Sequence, residues 1–377
     1  MSSSAQHPYA IAMWDFSWLE RRWPGAGYED WNVALGQLAH RGYNAVRIDA
    51  YPHLISADAH RTWRLEPMWT QTSWGAQSPL SVTVLPSLIE FIRAARRYGI
   101  VVALSTWYRD GAARTRETIV TPADQARIWR DTLRRIEAAG LLDSILYVDL
   151  CNEFPQQRWA AYTAGRPESQ VSKTEPSLVA WMRESIAELR NDYPTLAFTY
   201  SFHTEFDRWQ ELDVGMLDLL EVHTWMAGAD DDRYNKAVGY GFERFAPIGF
   251  DNLARNGRRE YEANRETYDA LLFADIDRIA DWSRAARLPV HTTEGWAVVD
   301  YKDWPGLDWD WILDLNARAV EYVASKGRWT GIATSNFCGP QFVGMWREVE
   351  WHQQLTTRIT SAPLDEDLLV DSATADW

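Results

Sequence analysis

Residues 147–155 read Tyr-Val-Asp-Leu-Cys-Asn-Glu-Phe-Pro, and residues 289–296 read Pro-Val-His-Thr-Thr-Glu-Gly-Trp. Each stretch has the composition of a strand and then reaches a glutamate, Glu153 in the first and Glu294 in the second. Parallel strands of a barrel present their carboxyl ends at one rim, so two such strands would bring both carboxylates to one site. The two stretches therefore predict a parallel sheet with acidic side chains at its strand ends.

Strand-like runs recur along the chain with amphipathic helical segments between them, which favours parallel pairing over a sandwich. Eight runs are found, as a closed parallel barrel requires: Ala10–Phe16, Ala45–Ala50, Val101–Trp107, Leu146–Cys151, Ala197–His203, Leu219–Thr224, Val290–Glu294 and Gly331–Asn336. The predicted helices are Trp31–His40, Leu85–Tyr98, Pro122–Ala139, Pro176–Asn191, Phe273–Ala286 and Trp311–Ser325. An open doubly wound sheet is the alternative, but the first run lacks the Gly-rich turn typical of it. We predict an α/β fold, a (β/α)8 TIM barrel over residues 1–360, with an acidic tail over residues 361–377.

Loop lengths are uneven in a way that suits this barrel. Segments after strands are long, and segments after helices are short, which places the bulk at the C-terminal rim where such enzymes keep their sites. The longest, Trp225–Leu272, is predicted to be a loop that acts as a lid or as a static wall of a pocket. Asp207–Met216 leaves room only for a short helix, and Thr121 with Pro122 predicts the start of another.

Composition limits the possible partners. The formal net charge is -15, from 38 basic and 53 acidic residues, which disfavours nucleic acid and anionic membranes. Residues 1–10 have no basic or apolar stretch typical of a signal peptide, and Cys151 and Cys338 are predicted to be buried thiols, so we expect a cytoplasmic protein. Tryptophan is abundant, with 22 residues, and indole rings pack in cores but also stack on sugar faces.

The two strand-end glutamates match the needs of glycosidic bond cleavage. That reaction uses one carboxylic acid to protonate the leaving oxygen and a second carboxylate opposite it. When the two carboxyl groups lie roughly 5–5.5 Å apart, the second attacks the anomeric carbon and the configuration is retained.

Asn152-Glu153 at the end of the fourth predicted strand, with Glu294 at the end of the seventh, resembles the cellulase-like clan of retaining barrel glycosidases. These include glycoside hydrolase family five and the sugar-binding cellulase-like relatives. The resemblance implies that Glu153 is the acid/base, Glu294 the nucleophile and Asn152 a donor to the sugar 2-hydroxyl. Arg47 is similar to the second-strand arginine that keeps the nucleophile ionised, and His223 is similar to the sixth-strand histidine of the clan. With these roles, we expect burial and mutual repulsion to keep Glu153 protonated near neutral pH, while Arg47 keeps Glu294 ionised.

The residues expected to read the sugar depart from that clan. Trp225 stands where a tyrosine is common, the third strand has Trp107 and Tyr108 near its end without the histidine frequent in family five, and Asn336 precedes Phe337 where a tryptophan is usual. We nevertheless predict substrate contacts at the ends of four strands, from Trp14, Asp15, Trp107, Trp225 and Trp296.

Each of these residues also has a purely structural explanation. A strand-end glutamate can cap a helix or pair with an arginine, Arg47 could be a buried ion-pair partner of Asp49 or Glu221, and His223 could be a core histidine. Glu205 and Asp207 after the fifth strand are rival carboxylates. His203, Glu205 and His223 could gather around zinc, but no metal-binding or phosphate-binding motif is present, so we predict no metal and no cofactor.

The sequence thus predicts a retaining glycoside hydrolase that cleaves β-glycosidic bonds of small oligosaccharides or glycosides. A non-catalytic carbohydrate-binding barrel and a transglycosylase with the same glutamate pair remain as alternatives. A binding protein would gain nothing from placing two like charges together, which favours the enzyme. The sugar itself is not predicted, because related sugars differ by only a few hydroxyl contacts. The oligomeric state is equally open.

Overall fold

The structure is a computed structural model that describes residues 7–67, 76, 78–109, 111–155, 166, 170–241, 247–298, 303–336 and 338–370. Across these residues, eight parallel strands form the central sheet. They are β1 Tyr9–Met13, β2 Ala45–Asp49, β3 Val101–Ser105, β4 Ile145–Asp149, β5 in two segments Phe198–Thr199 and Ser201–Phe202, β6 Leu220–Val222, β7 Val290–Thr292 and β8 Trp329–Ala333. All eight lie within or beside the runs predicted from the sequence.

The pairing order shows how the sheet closes on itself. β1 pairs in parallel with both β2 and β8, and the remaining strands follow in chain order from either side. The first segment of β5 pairs with β4 and its second segment pairs with β6, so the chain through Tyr200 joins the two ends of the sheet. The predicted (β/α)8 barrel is therefore confirmed.

Helices cover the outside of the barrel. They are α1 Ser17–Glu20, α2 Trp31–His40, α3 Pro52–Ala57, α4 Val84–Arg97, α5 Pro122–Ala138, α6 Pro176–Arg190, α7 Ala229–Val238, α8 Pro247–Ala263, α9 Arg265–Ala286, α10 Asp310–Ala324, α11 Val343–Trp346, α12 Val349–Thr360 and α13 Glu366–Val370. The start of α5 is as predicted, because Thr121 Oγ1 accepts a hydrogen bond from the Asp124 amide while the Asp124 carboxylate accepts one from the Thr121 amide. The short connection before β6 forms one 3₁₀ helix, Phe206–Glu211.

The prediction that Trp225–Leu272 is a loop was wrong. This segment contains α7, α8 and the first turns of α9. Its helical signal is carried by aromatic residues, since Tyr261 and Tyr268 are buried and stack on Trp311 or on each other. Charged residues dominate the rest of the segment, including the Arg258–Glu262 pair four residues apart at 2.7 Å.

The interior of the barrel is apolar in one layer and ionic in the next. A separate cluster of Ile11, Ala45, Ala103, Leu146, Tyr147, Ala197, Leu219 and Ala333 forms the apolar layer. Charged and polar side chains are buried beyond it towards the strand ends, and they build the site described below. The rigid strands thus fix the positions of these side chains.

Two other expectations concern the cysteines and the C-terminal tail. Cys151 and Cys338 are buried free thiols, as predicted. The expected tail is described only as far as residue 370, where Asp367 pairs with buried Arg328 at 2.6 Å and Leu368 is buried. Among the residues that the structure describes, none of the helices combines the length and apolar character needed to cross a membrane.

Candidate active site

Arg47 on β2 is the centre of the ionic layer and is fully buried. Its Nε donates to Asp15 Oδ1 at 3.1 Å, and its Nη2 donates to Asp15 Oδ2 at 2.8 Å and to Glu294 Oε1 at 2.6 Å. Its Nη1 donates to Thr293 Oγ1 at 2.7 Å and to His223 Nε2 at 2.9 Å. A guanidinium has five N–H donors, so every donor of Arg47 is used.

A buried cation of this kind is stable only with opposite charges around it. Burial opposes the charge on Arg47, but Asp15, Glu294 and Glu221 outweigh that effect and raise the pKa of Arg47 well above its usual value. The Glu221 carboxylate is the most distant of the three, at 3.9 Å from Nη1. Arg47 is therefore a fixed positive charge. Of the two ion-pair partners considered from the sequence, Asp49 and Glu221, it pairs with Glu221, and this pair coexists with its contacts to Asp15 and Glu294.

His223 follows β6 and lies between the two glutamates. Its Nδ1 is 3.0 Å from Glu153 Oε1 and 3.6 Å from Glu294 Oε1. Burial lowers its affinity for a second proton, but Glu294 and hydrogen bonds to Glu153 and Glu221 raise its pKa to about 10. A second proton would sit on Nε2, however, 2.9 Å from the N–H of Arg47 Nη1, where two donors would face each other. We therefore assign the neutral ring with its proton on Nδ1.

The structure brings Glu153 and Glu294 together. A carboxylate oxygen of each lies within 4.8 Å of the other and of a His223 ring nitrogen. Glu294 is almost fully buried, whereas the Glu153 side chain keeps 12% of its surface exposed. An oxygen–oxygen distance of at most 4.8 Å agrees better with the roughly 5–5.5 Å between the carboxyl groups of retaining glycosidases than with the roughly 6.5–9.5 Å of inverting ones.

The proton order of the pair is the reverse of our expectation. Burial, with the charges of Glu153 and Asp15, raises the pKa of Glu294 to about 7 in spite of His223 and Arg47. Burial also acts to raise the pKa of Glu153, but His203, the hydrogen bond from His223 and the charge of Arg47 outweigh it and lower the value to about 2. Arg47 shares its charge with Asp15, so it cannot keep Glu294 as acidic as the sequence suggested.

The backbone at Glu153 is held in an unusual conformation. Its φ is 50°, in the left-handed region that residues other than glycine rarely adopt. The Glu153 amide donates to Ser201 Oγ at 2.7 Å, and that hydroxyl donates to Asp149 Oδ2 at 2.8 Å. Such strain persists where surrounding contacts enforce it, and it concentrates at functional sites.

Asn152 has a fully buried side chain in which neither the amide nitrogen nor the amide oxygen has a hydrogen-bond partner among the residues that the structure describes. Its backbone is held firmly, because the backbone N–H of Asn152 donates to the Thr106 carbonyl oxygen at 2.9 Å. Leaving a buried donor and acceptor unpaired costs about 1–3 kcal/mol for each group. An amide held at this cost beside Glu153 is suited to bind polar groups of a ligand.

Two of the predicted tryptophans lie beside the charged residues. Trp107 Nε1 donates to Asp15 Oδ2 at 2.6 Å. The Asp15 carboxylate is therefore hydrogen-bonded within the protein, to Arg47 and Trp107. Trp225 packs edge-on against the His223 ring, with centroids 6.0 Å apart. Its Nε1 donates to Asn336 Oδ1 at 3.0 Å. Phe337, named with Asn336 above, lies outside the described residues.

The other two predicted tryptophans are enclosed in the protein. Trp14 is buried against Tyr28, and its Nε1 donates to Cys338 O at 2.7 Å. Trp296 is fully buried, and its Nε1 donates to Ala333 O at 2.8 Å. Both rings therefore pack within the core and donate their N–H to backbone carbonyl groups, which places them behind the site rather than at its surface.

Sequence reasoning missed the importance of Glu221 and Thr293. Glu221 Oε1 accepts from the Thr293 amide at 3.1 Å and from its hydroxyl at 2.6 Å, and Glu221 Oε2 accepts from Tyr147 at 2.7 Å. Burial acts to raise the pKa of Glu221, but its contacts with His223 and Arg47 lower it to about 2. The available signal was the spacing, since Glu221 and His223 lie two residues apart and therefore share one face of a strand.

The rival carboxylate Glu205 has other partners. Its Oε2 accepts from the Lys173 amide at 2.8 Å, and its Oε1 lies 3.7 Å from Arg208. His203, one of the residues considered for zinc, has its Nδ1 3.8 Å from Glu153 Oε2.

Glu153, His223 and Glu294 are the group of described residues whose ligand atoms lie close enough to hold a metal ion. The fixed charge of Arg47 opposes a divalent cation there, because its guanidinium is hydrogen-bonded to both His223 and Glu294. The group considered for zinc from the sequence, His203, Glu205 and His223, is not the one that the structure gathers.

A parallel barrel with two converging glutamates at the ends of its fourth and seventh strands defines a glycoside hydrolase-like protein. The chain belongs to the sugar-binding cellulase-like family, whose profile matches residues 11–360. The fold is also that of a crystal structure from Parabacteroides distasonis ATCC 8503, described as a candidate glycoside hydrolase. The sequence of that protein is 45% identical to this one, and the two structures superimpose with a TM-score of 0.94 over 98% of each chain.

More distant structures share the fold alone. An endo-β-1,4-mannanase from Thermotoga petrophila is 11% identical with a TM-score of 0.55, over 95% of this chain and 77% of that one. A glycoside hydrolase family 5 mannosidase from Rhizomucor miehei is 10% identical with a TM-score of 0.54, over 94% of each chain. A search of curated proteins found no match.

Proposed function

We propose that this protein is a retaining glycoside hydrolase in which Glu294 is the nucleophile and Glu153 the acid/base. The observation that carries the proposal is the approach of the two carboxylates to within 4.8 Å, at the ends of strands four and seven. That spacing leaves room for an anomeric carbon between the carboxylates but not for an additional attacking water, as an inverting mechanism requires. Membership of a cellulase-like family supports the same reaction class.

In the first step, Glu294 attacks the anomeric carbon while Glu153 gives a proton to the glycosidic oxygen. The bond from the anomeric carbon to the leaving group breaks, and an ester bond to Glu294 forms. The pair holds one proton between about pH 2 and about 7, from the pKa values of its two members. Moving that proton from Glu294 to Glu153 leaves the net charge of the cluster unchanged, so the reactive form is a tautomer of the resting one.

In the second step, water replaces the leaving group. Glu153, now ionised, removes a proton from the water as the oxygen attacks the anomeric carbon, and the ester bond to Glu294 breaks. The sugar leaves with its original configuration, and the pair again holds one proton. Transglycosylation would differ only in that a sugar hydroxyl takes the place of water.

We propose a β-linked small oligosaccharide or glycoside as the substrate. The burial of Glu294 and the small exposed fraction of Glu153 support an enclosed pocket for a terminal sugar rather than an open groove. Asn152 is the proposed donor to the sugar 2-hydroxyl, because its amide is buried, unpaired and next to Glu153 in the chain. The net charge of -15 further supports a carbohydrate partner rather than nucleic acid.

The test is intact-mass spectrometry after incubation with a panel of activated 2-deoxy-2-fluoro glycosides. We expect a single increase in mass whose size identifies the sugar class, and peptide mapping should place the label on Glu294. Glu294→Gln should show no increase in mass. A label on another residue would refute the assignment of the nucleophile. Binding of sugars without any label across the panel would favour the alternative, a carbohydrate-binding barrel.

A further inference from the structure

His223 contacts both proposed catalytic carboxylates, yet the two-step reaction gives it no task. Its ring is fully buried, with Nδ1 at 3.0 Å from Glu153 Oε1 and 3.6 Å from Glu294 Oε1. On its other side, Nε2 is 2.9 Å from Arg47 Nη1. The ring therefore bridges the arginine to the acid/base as well as lying beside the nucleophile.

The direction of each hydrogen bond in this chain follows from the chemistry of its ends. A guanidinium has donors but no acceptor, so His223 Nε2 has to accept from Arg47 and carries a lone pair. A neutral imidazole with a lone pair on Nε2 has its proton on Nδ1. That single N–H points to the Glu153 carboxylate, which as an anion only accepts.

We propose that Arg47 fixes His223 as the Nδ1–H tautomer and thereby makes His223 the positioning residue of Glu153, an inference that rests on the proposed function. One guanidinium then acts on both catalytic carboxylates, directly on Glu294 and through the imidazole on Glu153. Because Oε1 of Glu153 is occupied by the imidazole N–H, proton exchange with the substrate is assigned to Oε2.

Charged groups on neighbouring strands act on this ring in opposite directions. Glu221 Oε1 is 3.4 Å from Nε2 and favours a proton there, whereas Arg47 is closer and excludes it. Glu153 and Glu294 both attract the Nδ1 proton, and the shorter contact is to Glu153. His203 lies 3.8 Å from the other oxygen of Glu153. A hydrogen bond to the ionised form lowers the pKa of a carboxyl, which agrees with the low pKa of Glu153.

The tautomer is tested on the ligand-free protein, so this test does not depend on glycosidase activity. Histidines are labelled with ¹⁵N, and the signals of His223 are identified by their loss in His223→Asn. At pH 7 we expect a protonated Nδ1 and a lone pair on Nε2. A doubly protonated ring, or a proton on Nε2 alone, would overturn the proposal whether or not the protein cleaves glycosides.

The effect on Glu153 is tested with two variants of the same residue. Asn at position 223 can place an N–H where Nδ1 stood, whereas Leu has no donor. On an aryl glycoside identified by the panel, we expect the acidic limb of kcat/KM to move up by at least about one pH unit in His223→Leu and to stay near the wild-type position in His223→Asn. A uniform loss across pH in both variants would show a merely structural role. If the leucine variant does not fold, titration of the ¹³C-labelled Glu153 carboxyl in His223→Asn and wild type decides, and a wild-type pKa at or above the ordinary value would refute the proposal.

Discussion

The isosteric variants Glu294→Gln and Glu153→Gln should abolish or strongly reduce turnover, but they should change stability in opposite directions. The folded protein raises the pKa of Glu294 to about 7 and lowers that of Glu153 to about 2, from a common ordinary value of 4.5. Each difference is about 2.5 units, which corresponds to about 3 kcal/mol. Glutamine resembles the protonated carboxyl in shape, so each variant removes the ionisation and keeps the packing.

The sign follows from which state holds the proton more tightly. A raised pKa means that Glu294 contributes stability that is fully present below pH 4.5 and is lost as the pH rises through about 7. Glu294→Gln avoids that loss, and at pH 8 it should be more stable than wild type by about 3 kcal/mol. The lowered pKa of Glu153 contributes stability that is present above pH 4.5 and lost as the pH falls through about 2. Glu153→Gln should therefore be less stable at pH 8, but by a smaller amount, because it also removes the charge that helps to raise the pKa of Glu294.

Thermal unfolding followed by tryptophan fluorescence at pH 4.5 and pH 8 measures both effects. A stability change of this size shifts Tm by several degrees. The shift in Tm per kcal/mol is smaller for a chain of 377 residues than for small domains. We expect Glu294→Gln to raise Tm at pH 8 and to raise it little at pH 4.5. A lower Tm for Glu294→Gln at pH 8, or the same difference at both pH values, would refute the assigned proton order.

Four further results are expected. For kcat/KM, the alkaline limb should lie near pH 7 and the acidic limb well below pH 4.5, because the pair must hold one proton; a pH-rate profile on an aryl glycoside measures this. Azide should restore turnover of activated glycosides to Glu153→Ala, with a glycosyl azide as product, and should not restore it to Glu294→Ala. Arg47→Lys should lower kcat/KM by at least about 100-fold, since a lysine cannot replace five directed donors, and urea unfolding should show a less stable protein. Asn152→Ala should lower kcat/KM at least about tenfold without making the protein less stable, because the variant loses no hydrogen bond and removes two buried polar groups that lack partners among the described residues.

The strand ends could be predicted from the sequence because they depend on local signals. Apolar runs bounded by turn residues identify the strands, and the ordinal positions of Glu153 and Glu294 then follow from barrel geometry. The helices α7 and α8 and the first turns of α9 were missed because aromatic residues carry much of their buried face and charged residues are frequent elsewhere, so the segment has the composition of a surface loop. Periodicity of Tyr261 and Tyr268 relative to Leu272 was the signal available.

The proton order could not be predicted from residue types. Arg47 next to Glu294 suggested a strongly acidic nucleophile, but the structure also directs two bonds from Arg47 to Asp15. His223 was named as a site residue, whereas its bond to Arg47 and its tautomer depend on which atoms meet at about 3 Å. Likewise, the sequence could not show that the rings of Trp14 and Trp296 are buried in the core, because this depends on how the surrounding segments pack over them.

The bonds of Arg47 have a consequence for dividing the chain. Asp15 and Arg47 belong to the first half of the barrel, while His223, Thr293 and Glu294 belong to the second. A cut between β4 and β5 would leave the second half with buried carboxylates separated from the guanidinium that compensates them. Each half-barrel expressed alone should therefore fold poorly. Mixing the two halves should restore structure by complementation, because the bonds from Arg47 to His223, Thr293 and Glu294 then form between the fragments.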